Sequence, residues 1–410
     1  MHTENTPVLL LTGYLGSGKT TLLNRILSNK KGIRFAVIVN DLGEINIDAD
    51  LIQQGGVVGQ KEESLVALQN GCICCTLKMD LVEQLSEIIA QQKFDYIVIE
   101  ASGICEPEPI AQTICNMPSM EARFTRHGLP RLDCVLTVVD ALRMQQDFNG
   151  KDLSQHHYNE DDLENLIVQQ IEFCNIVLIN KASEVSETEL GRIRSLVRSL
   201  QPKAAILTCD YGDIDLDRIL HTGLFDFEKT ATSATWVRVV EDIPDEAEEH
   251  EDEDDNHGHE HGHHEHEHEH EHEHEHGHHH HHHHDEGEAE EYGISTFVYQ
   301  ARRPFRLDRF DEIAGKLPRN VIRSKGICYF KGEEDICYIF DQVGTQLSLR
   351  DTGRWFATMS KAELEDLRLR NPELLRDWDE TYGDRMQKLV FIGQHLDKEA
   401  LRRDLDSCLV

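Results

Sequence analysis

The 410-residue sequence predicts an α/β fold in its first half, a parallel sheet with helices on both faces, and a smaller α+β domain at the C-terminal end. Three observations carry this prediction. Short, nearly continuous Val/Ile/Leu runs alternate with amphipathic segments, the pattern of strands that are buried on both faces of a parallel sheet. Between residues 241 and 291 the composition collapses into Glu, Asp, His and Gly. Beyond that stretch a shorter strand and helix rhythm resumes with ordinary composition.

The strand-like runs of the first part fall at residues 8–12, 35–40, 96–100, 134–140, 176–180 and 205–209. Segments at 19–27, 77–91, 163–172 and 187–200 carry apolar residues at helical spacing and separate several of those runs. This layer defines a first domain over residues 1–228. Residues 229–292 form a linker: 23 Asp or Glu and no Lys or Arg lie between 241 and 291, and 19 of the 25 histidines lie between His250 and His284. So little apolar surface cannot offset the entropy of ordering, which predicts disorder. Residues 293–410 form the second domain. Its strands start at 294 and cover 326–330, 335–341 and 389–392, with helices at 307–316, 361–370 and 398–408. That order suits a split βαβ, ferredoxin-like unit with one inserted helical piece.

Charge and cysteine content narrow the function classes. The net charge of −35 is concentrated in the linker, without which −12 remains. No basic stripe is visible, which argues against a nucleic-acid partner. The polar N-terminus and the lack of an 18-residue apolar run argue against a membrane partner and for a cytoplasmic protein. Eleven cysteines without a secretory signal read as reduced thiols. Cys134, Cys174, Cys209 and Cys337 sit singly in apolar runs and read as small buried hydrophobes.

Gly13-Tyr-Leu-Gly-Ser-Gly-Lys-Thr20 follows a strand and opens a helix, the context in which this glycine-lysine pattern cradles phosphates. Glycines let backbone N–H groups turn towards the anion, and the helix N-terminus adds its positive end. Gly13, Gly16, Ser17, Gly18, Lys19, Thr20 and Thr21 are therefore candidate nucleotide contacts. Lys19 reaches the β- and γ-phosphates and the Thr20 hydroxyl ligates Mg²⁺. Glu100, which ends the third strand, is placed to hold Mg²⁺ through water, with Gly103 near the γ-phosphate; Lys19 and Glu100 are the candidate catalytic residues. Asn40-Asp41-Leu-Gly-Glu44 follows the second strand, where a first switch loop is expected. Asn180 and Lys181 end a later strand, where guanine-specific proteins carry Asn-Lys-x-Asp. Ser183 stands where that Asp would accept two hydrogen bonds from guanine, and Glu184 is displaced by one residue. GTP is the preferred nucleotide, with ATP the alternative.

Cys72-Ile73-Cys74-Cys75 lies between the switch candidate at 40–44 and a second one at Glu100–Gly103, just before a helix. Thiolates suit Zn²⁺ or Cu(I), and a helix N-terminus lowers their pKa. Three close cysteines leave room for an exchangeable ligand, as a transfer site needs and a closed four-cysteine cage does not. Asp41 and Glu44 are candidate carboxylate ligands beside Cys72, Cys74 and Cys75. The alternatives are buried thiols or a redox pair, although redox motifs more often have Cys-x-x-Cys spacing. The His-rich linker, with His259, His261, His263 and His264, offers loose imidazole ligation to several ions.

Taken together, these motifs resemble the CobW family of P-loop GTPases, which includes zinc and cobalt metallochaperones. The likeness lies in residues 13–20, the 40–44 and 71–75 segments, Glu100-Ala-Ser-Gly-Ile-Cys-Glu-Pro107, and the stretch from Gly383 to Gly393. It implies GTP hydrolysis with Mg²⁺, coupled to delivery of a transition metal, Zn²⁺ or Co²⁺, to a client apo-metalloprotein. It also implies that Cys72, Cys74 and Cys75 are the metal site. The sequence departs from the family at Ser183, where an Asp is usual. Zinc delivery is the leading expectation. A cobalt factor in corrin synthesis and a metal buffer with regulatory nucleotide binding are the alternatives, and a homo-oligomer is compatible with each.

Overall fold

A computed structural model describes residues 5–39, 78–148, 161–240, 292–344, 346–370 and 378–410. In chain order the first domain holds β1 (Thr6–Thr12), α1 (Lys19–Leu27), β2 (Phe35–Val39), α2 (Lys78–Ala90) and β3 (Tyr96–Glu100). It continues with α3 (Pro107–Asn116), α4 (Ala122–Thr125), β4 (Pro130–Asp140), α5 (Ala141–Asp147) and α6 (Asp161–Glu172). Then come β5 (Ile176–Asn180), α7 (Glu187–Leu200), β6 (Ala205–Thr208), α8 (Phe227–Ala231) and α9 (Thr235–Val240).

The six strands form one sheet in the order β2-β3-β1-β4-β5-β6, and every neighbouring pair is parallel. Alternation along the strands explains why both faces need cover. Leu9, Leu11, Val37, Val98, Leu136 and Leu178 enter one apolar cluster with Leu22, Leu23 and Ile26 of α1. Their neighbours Val8, Leu10, Ile38, Ile97, Ile99, Val177 and Ile179 enter the opposite cluster with residues of α2, α3, α6 and α7. Each fully buried Leu or Ile contributes about 1.5–3 kcal/mol relative to exposure, so these strands specify the layer order by themselves.

The second domain holds β7 (Ile294–Ala301), α10 (Leu307–Ala314), β8 (Val321–Cys328), β9 (Ile336–Val343), β10 (Gln346–Arg354), α11 (Lys361–Arg370), β11 (Gln387–Gln394) and α12 (Lys398–Asp406). Its sheet runs β10-β9-β8-β11-β7 with antiparallel neighbours throughout. β11 is antiparallel to both β7 and β8, so β7 and β8, joined through α10, are parallel with β11 between them. This is the split βαβ arrangement expected. Phe297, Phe340 and Phe391 of the strands pack with Phe305 and Phe330, with Phe310 of α10, and with Leu401 and Leu405 of α12.

Two elements differ from expectation. β10 is an additional strand, exposed along eight of its nine residues, and it is held by its ladder to β9 rather than by burial. Its Arg, Asp and Gly content carries no burial signal for sequence to display. The linker expected from residue 229 starts later among the described residues, because α8 and α9 occupy 227–231 and 235–240. Trp236 and Val239 pack against the apolar cluster that the two domains share, and Ser233 accepts a 2.7 Å hydrogen bond from Gln201 Nε2, which anchors the segment.

The other face of the second sheet meets the first domain. Ile294, Ile322, Val343, Val390 and Ile392 join the same apolar cluster as α6 and α7. Within that contact Arg323, 1% exposed, donates from Nε and Nη2 to Glu172 Oε1 and Oε2 at 2.8 and 3.0 Å. Its Nη1 also bonds Asp341, which Lys325 reaches at 3.2 Å. Burial opposes ionisation of Asp341, but the Arg323 guanidinium and Lys325 outweigh it and hold the carboxyl below its ordinary value.

Candidate nucleotide-binding site

β1 ends at Thr12 with β3 on one side and β4 on the other, so residues 13–18 turn at the carboxyl edge of the sheet beside a reversal of strand order. Open α/β sheets place their ligand crevice there. Gly13, Gly16 and Gly18 all take positive φ, 134°, 81° and 105°. Gly18 shows why a side chain is excluded: a Cβ there would lie 2.2 Å from Asn180 Nδ2. Gly18 is also the N-cap of α1, and it has no side chain with which to cap that end. The first turn of any α-helix leaves its N–H groups without an intrahelical partner, which suits an anion at this end.

The predicted phosphate contacts gather around this turn. Lys19 is buried, and its Nζ donates to Gly13 O at 2.6 Å and Tyr14 O at 3.2 Å, folding the ammonium across the mouth of the loop. Thr20 Oγ1 donates to Glu100 Oε1 at 3.3 Å, so a hydroxyl at the start of α1 and a carboxylate at the end of β3 meet across the turn. Ser17 is buried, whereas Thr21 is exposed on α1.

The loop after β3 lies against the phosphate loop. Ala101 N donates to Leu11 O at 2.9 Å, and a Cβ on Gly103 would come 2.7 Å from Leu15 N. From the other side, buried Gln170 of α6 donates through Nε2 to Gly103 O at 3.4 Å and Cys105 O at 3.1 Å. Motif reading missed Gln170; it lies in the last turn of an amphipathic helix and carries no signal of its own.

At the far end of the sheet, Asn180 joins three segments. Its Nδ2 donates to Ser17 O at 2.8 Å, and its Oδ1 accepts from Gly212 N at 3.1 Å. Lys181 takes φ 56°, the left-handed region that side chains rarely occupy, and its Nζ pairs with Asp140. Asp140 also caps α5 by accepting from Leu142 N at 2.9 Å and Arg143 N at 3.2 Å. Tyr14 packs at the same place: Asp140 N donates to its hydroxyl at 3.1 Å, and burial, then Asp140, raise the phenol's pKa. Ser183 N and Oγ both donate to Asp210 Oδ1 at 2.9 Å.

Asp41, Glu44, Cys72, Cys74, Cys75, His259, His261, His263 and His264 lie outside the described residues. The chain enters that region at Val39, in parallel register with Glu100, and returns at Lys78. Among the described residues no cluster of three His, Cys, Asp or Glu side chains is arranged to hold a metal. The single cysteines behave as small hydrophobes: burial pushes Cys174 up to about 12 and Cys209 up to about 11, and Cys134 is buried as well. Cys337 is only half-buried on β9, yet burial pushes its thiol up to about 11 as well.

The chain is 32% identical over 429 aligned residues to zinc-regulated GTPase metalloprotein activator 1 of Dictyostelium discoideum, spanning 99% of this chain and 80% of that protein. It belongs to the CobW family. The profile described as CobW/HypB/UreG, nucleotide-binding domain matches residues 7–208, and the profile of the cobalamin synthesis protein cobW C-terminal domain matches 294–409. A second CobW-family relative, the zinc chaperone CobW of Pseudomonas aeruginosa, is 32% identical over 52% of this chain, which spans 59% of its length. Among solved structures, Zn(II)-bound YjiA GTPase from E. coli aligns over 99% of this chain and 100% of its own, at 20% identity and a TM-score of 0.39, a likeness too loose to argue from.

Proposed function

We propose that this chain is a metal-binding GTPase that acts as a metallochaperone, coupling GTP binding and hydrolysis to the transfer of zinc to client apo-metalloproteins. The observation that carries the reading is the similarity to a zinc-regulated GTPase activator along 99% of the chain. The geometry around residues 13–20 supports it. Lys19, now satisfied by the loop carbonyls of Gly13 and Tyr14, exchanges them for the β- and γ-phosphate oxygens. The backbone N–H groups of residues 13, 16–18, 20 and 21 bind the remaining oxygens. Asn180 and Lys181 form the floor of the base end.

Thr20 and Glu100, two hard oxygen donors 3.3 Å apart, fit a Mg²⁺ ion held by one hydroxyl and, through water, one carboxylate. When bound, Mg²⁺ neutralises charge between the β- and γ-phosphates. Lys19 and Glu100 are the catalytic pair in this reading. Gly103, pressed against Leu15, gives the loop after β3 a backbone N–H with which to read the γ-phosphate.

Cys72, Cys74 and Cys75 bind the zinc cargo, joined by Asp41 or Glu44. Both carboxylates follow Val39, the register partner of Glu100, so movement at the γ-phosphate and metal geometry act on one segment. The histidines of the linker capture ions loosely for that site, and the cycle runs in the cytoplasm. A cobalt role has one specific observation in its favour, the cobalamin synthesis description of the C-terminal match.

Nucleotide hydrolysis with and without Zn²⁺ or Co²⁺, for wild type and a Cys72→Ala/Cys74→Ala/Cys75→Ala variant, tests the reading. Zinc is expected to change turnover of the wild type and to leave the variant unaffected. Equal responses to zinc in the two proteins would end the coupled-switch idea, and a response to cobalt alone would favour the corrin role.

A further inference from the structure

Ser183 occupies the position from which a guanine-specific site presents a carboxylate, and a hydroxyl is a poor acceptor for two donors at once. Guanine offers two donors side by side on one edge, N1–H and the 2-amino group. The fold brings a carboxylate to Ser183 from another loop. β5 and β6 are neighbours, so the turns that leave them run side by side. Ala182 N donates to Cys209 O at 3.2 Å, and Gly212 N donates to Asn180 Oδ1 at 3.1 Å, which locks the two turns together. In that pair Asp210 Oδ1 accepts from both Ser183 N and Ser183 Oγ at 2.9 Å.

We propose that Asp210 is the base-reading carboxylate of this chain, positioned by Ser183, and that the base it selects is guanine. This rests on reading residues 13–20 as a nucleoside triphosphate site. Ser183 does for Asp210 what a peptide N–H does for a capping carboxylate: it fixes the oxygen pair instead of contacting the base. Asp210 is half-exposed, and among the described residues its Oδ2 has no hydrogen bond or ion pair, so one oxygen is held and the other is open to a ligand. The two turns are the same ones that Asn180 ties to Ser17 O of the phosphate loop, so the carboxylate belongs to the base end of one crevice. The other acid beside Ser183 is Glu184, which is exposed and makes no side-chain hydrogen bond or ion pair among the described residues. Nothing holds Glu184 in one place, and Asp210 is held twice.

The chemistry predicts a reversal of specificity. Xanthine keeps N1–H but replaces the 2-amino group with a carbonyl, an acceptor that a carboxylate repels. An amide at residue 210 keeps its oxygen on the Ser183 donors and turns its NH2 to the base, where it donates to that carbonyl. Adenine presents a ring acceptor at N1 and so clashes electrostatically with either acid. Hydrogen bonds to a charged group are strong enough that losing them weakens binding by roughly 10- to 100-fold.

Calorimetric titration of the full chain with GTP, XTP and ATP in the presence of Mg²⁺ tests the assignment. Wild type is expected to favour GTP over both others by at least about 10-fold. Asp210→Asn should lose GTP by a similar factor and bind XTP more tightly than GTP, a gain that misfolding cannot produce. Glu184→Gln should keep the wild-type order, and Ser183→Ala should narrow the GTP preference without inverting it. Asp210→Asn with an unchanged GTP-to-XTP ratio overturns the proposal, as does a reversal produced by Glu184→Gln. Loss of all three nucleotides by Asp210→Asn assigns Asp210 to the folding of the two turns and overturns it too. Wild type that binds ATP as well as GTP ends the guanine assignment while leaving the phosphate site standing. Binding of every nucleotide unchanged by Lys19→Ala strikes at the phosphate site itself.

Discussion

At the phosphate end of the proposed site, one continuous stretch from Gly13 to Thr20 supplies almost everything, chiefly through its backbone. At the base end, Asn180, Lys181, Ser183 and Asp210 come from two turns that only the pairing of β5 with β6 brings together. Phosphate recognition by a local chain turn tolerates little change, because each glycine conformation and each N–H is fixed by its neighbours. Base recognition by separate side chains tolerates substitution, because a carboxylate lost from one turn can be restored from the other. The difference is how a chain can keep its phosphate motif intact and still carry Ser183 where a guanine-specific site presents an acid.

The comparison can be broken most sharply at Lys19. Lys19→Ala removes a charge from the phosphate end only, so GTP and ATP affinities should fall together by roughly 100-fold, the loss of one or two charge-assisted hydrogen bonds. A fall for one nucleotide and not the other, read by the same titrations, would mean that the two ends are not separable. Asn180 belongs to both. Asn180→Ala leaves Ser17 O and Gly212 N without their partner and should cost about 1–3 kcal/mol of stability. Thermal unfolding checks that cost, and nucleotide titration of the same variant should show the GTP preference narrowing as affinity for all nucleotides weakens.

The smallest effect concerns the domain contact, far from either end. Asp341 has a native pKa below its ordinary 3.8, so its stabilisation is fully present above that value and is lost as the pH falls through the lowered one. Melting temperature should therefore drop below pH 3.8 more steeply in wild type than in Asp341→Asn. Parallel acid profiles for the two proteins would remove Asp341 from the account.

The same contrast governs what could be read from the amino-acid order. The parallel layer was legible because its strands are buried on both faces and therefore written in Val, Ile and Leu. The phosphate loop was legible because local backbone requirements force Gly13, Gly16 and Gly18 at set spacing. β10 was not, since its eight exposed residues are fixed by hydrogen bonds to β9 that any sequence can make. α8 and α9 were absorbed into the linker because their few apolar residues, Trp236 and Val239 among them, make sense only against a core that already exists. Asp210 was invisible for a third reason. It lies 27 positions from Ser183, and nothing short of the sheet order brings the two together. Gln170 and Asp140 are the same case, polar residues whose partners are chosen by topology.

The account as a whole depends on communication between the nucleotide and the zinc held by Cys72, Cys74 and Cys75. By linkage, a metal that alters the nucleotide cycle must itself be bound with different affinity in the two nucleotide states. The direct measurement is the Zn²⁺ dissociation constant of the full chain, by competition with a chelating indicator, in the presence of a non-hydrolysable GTP analogue and again with GDP. The account predicts constants that differ by about 5-fold or more, the usual lower range of allosteric coupling. The difference should disappear when the three cysteines are replaced by alanine. Equal zinc affinities with both nucleotides would contradict it.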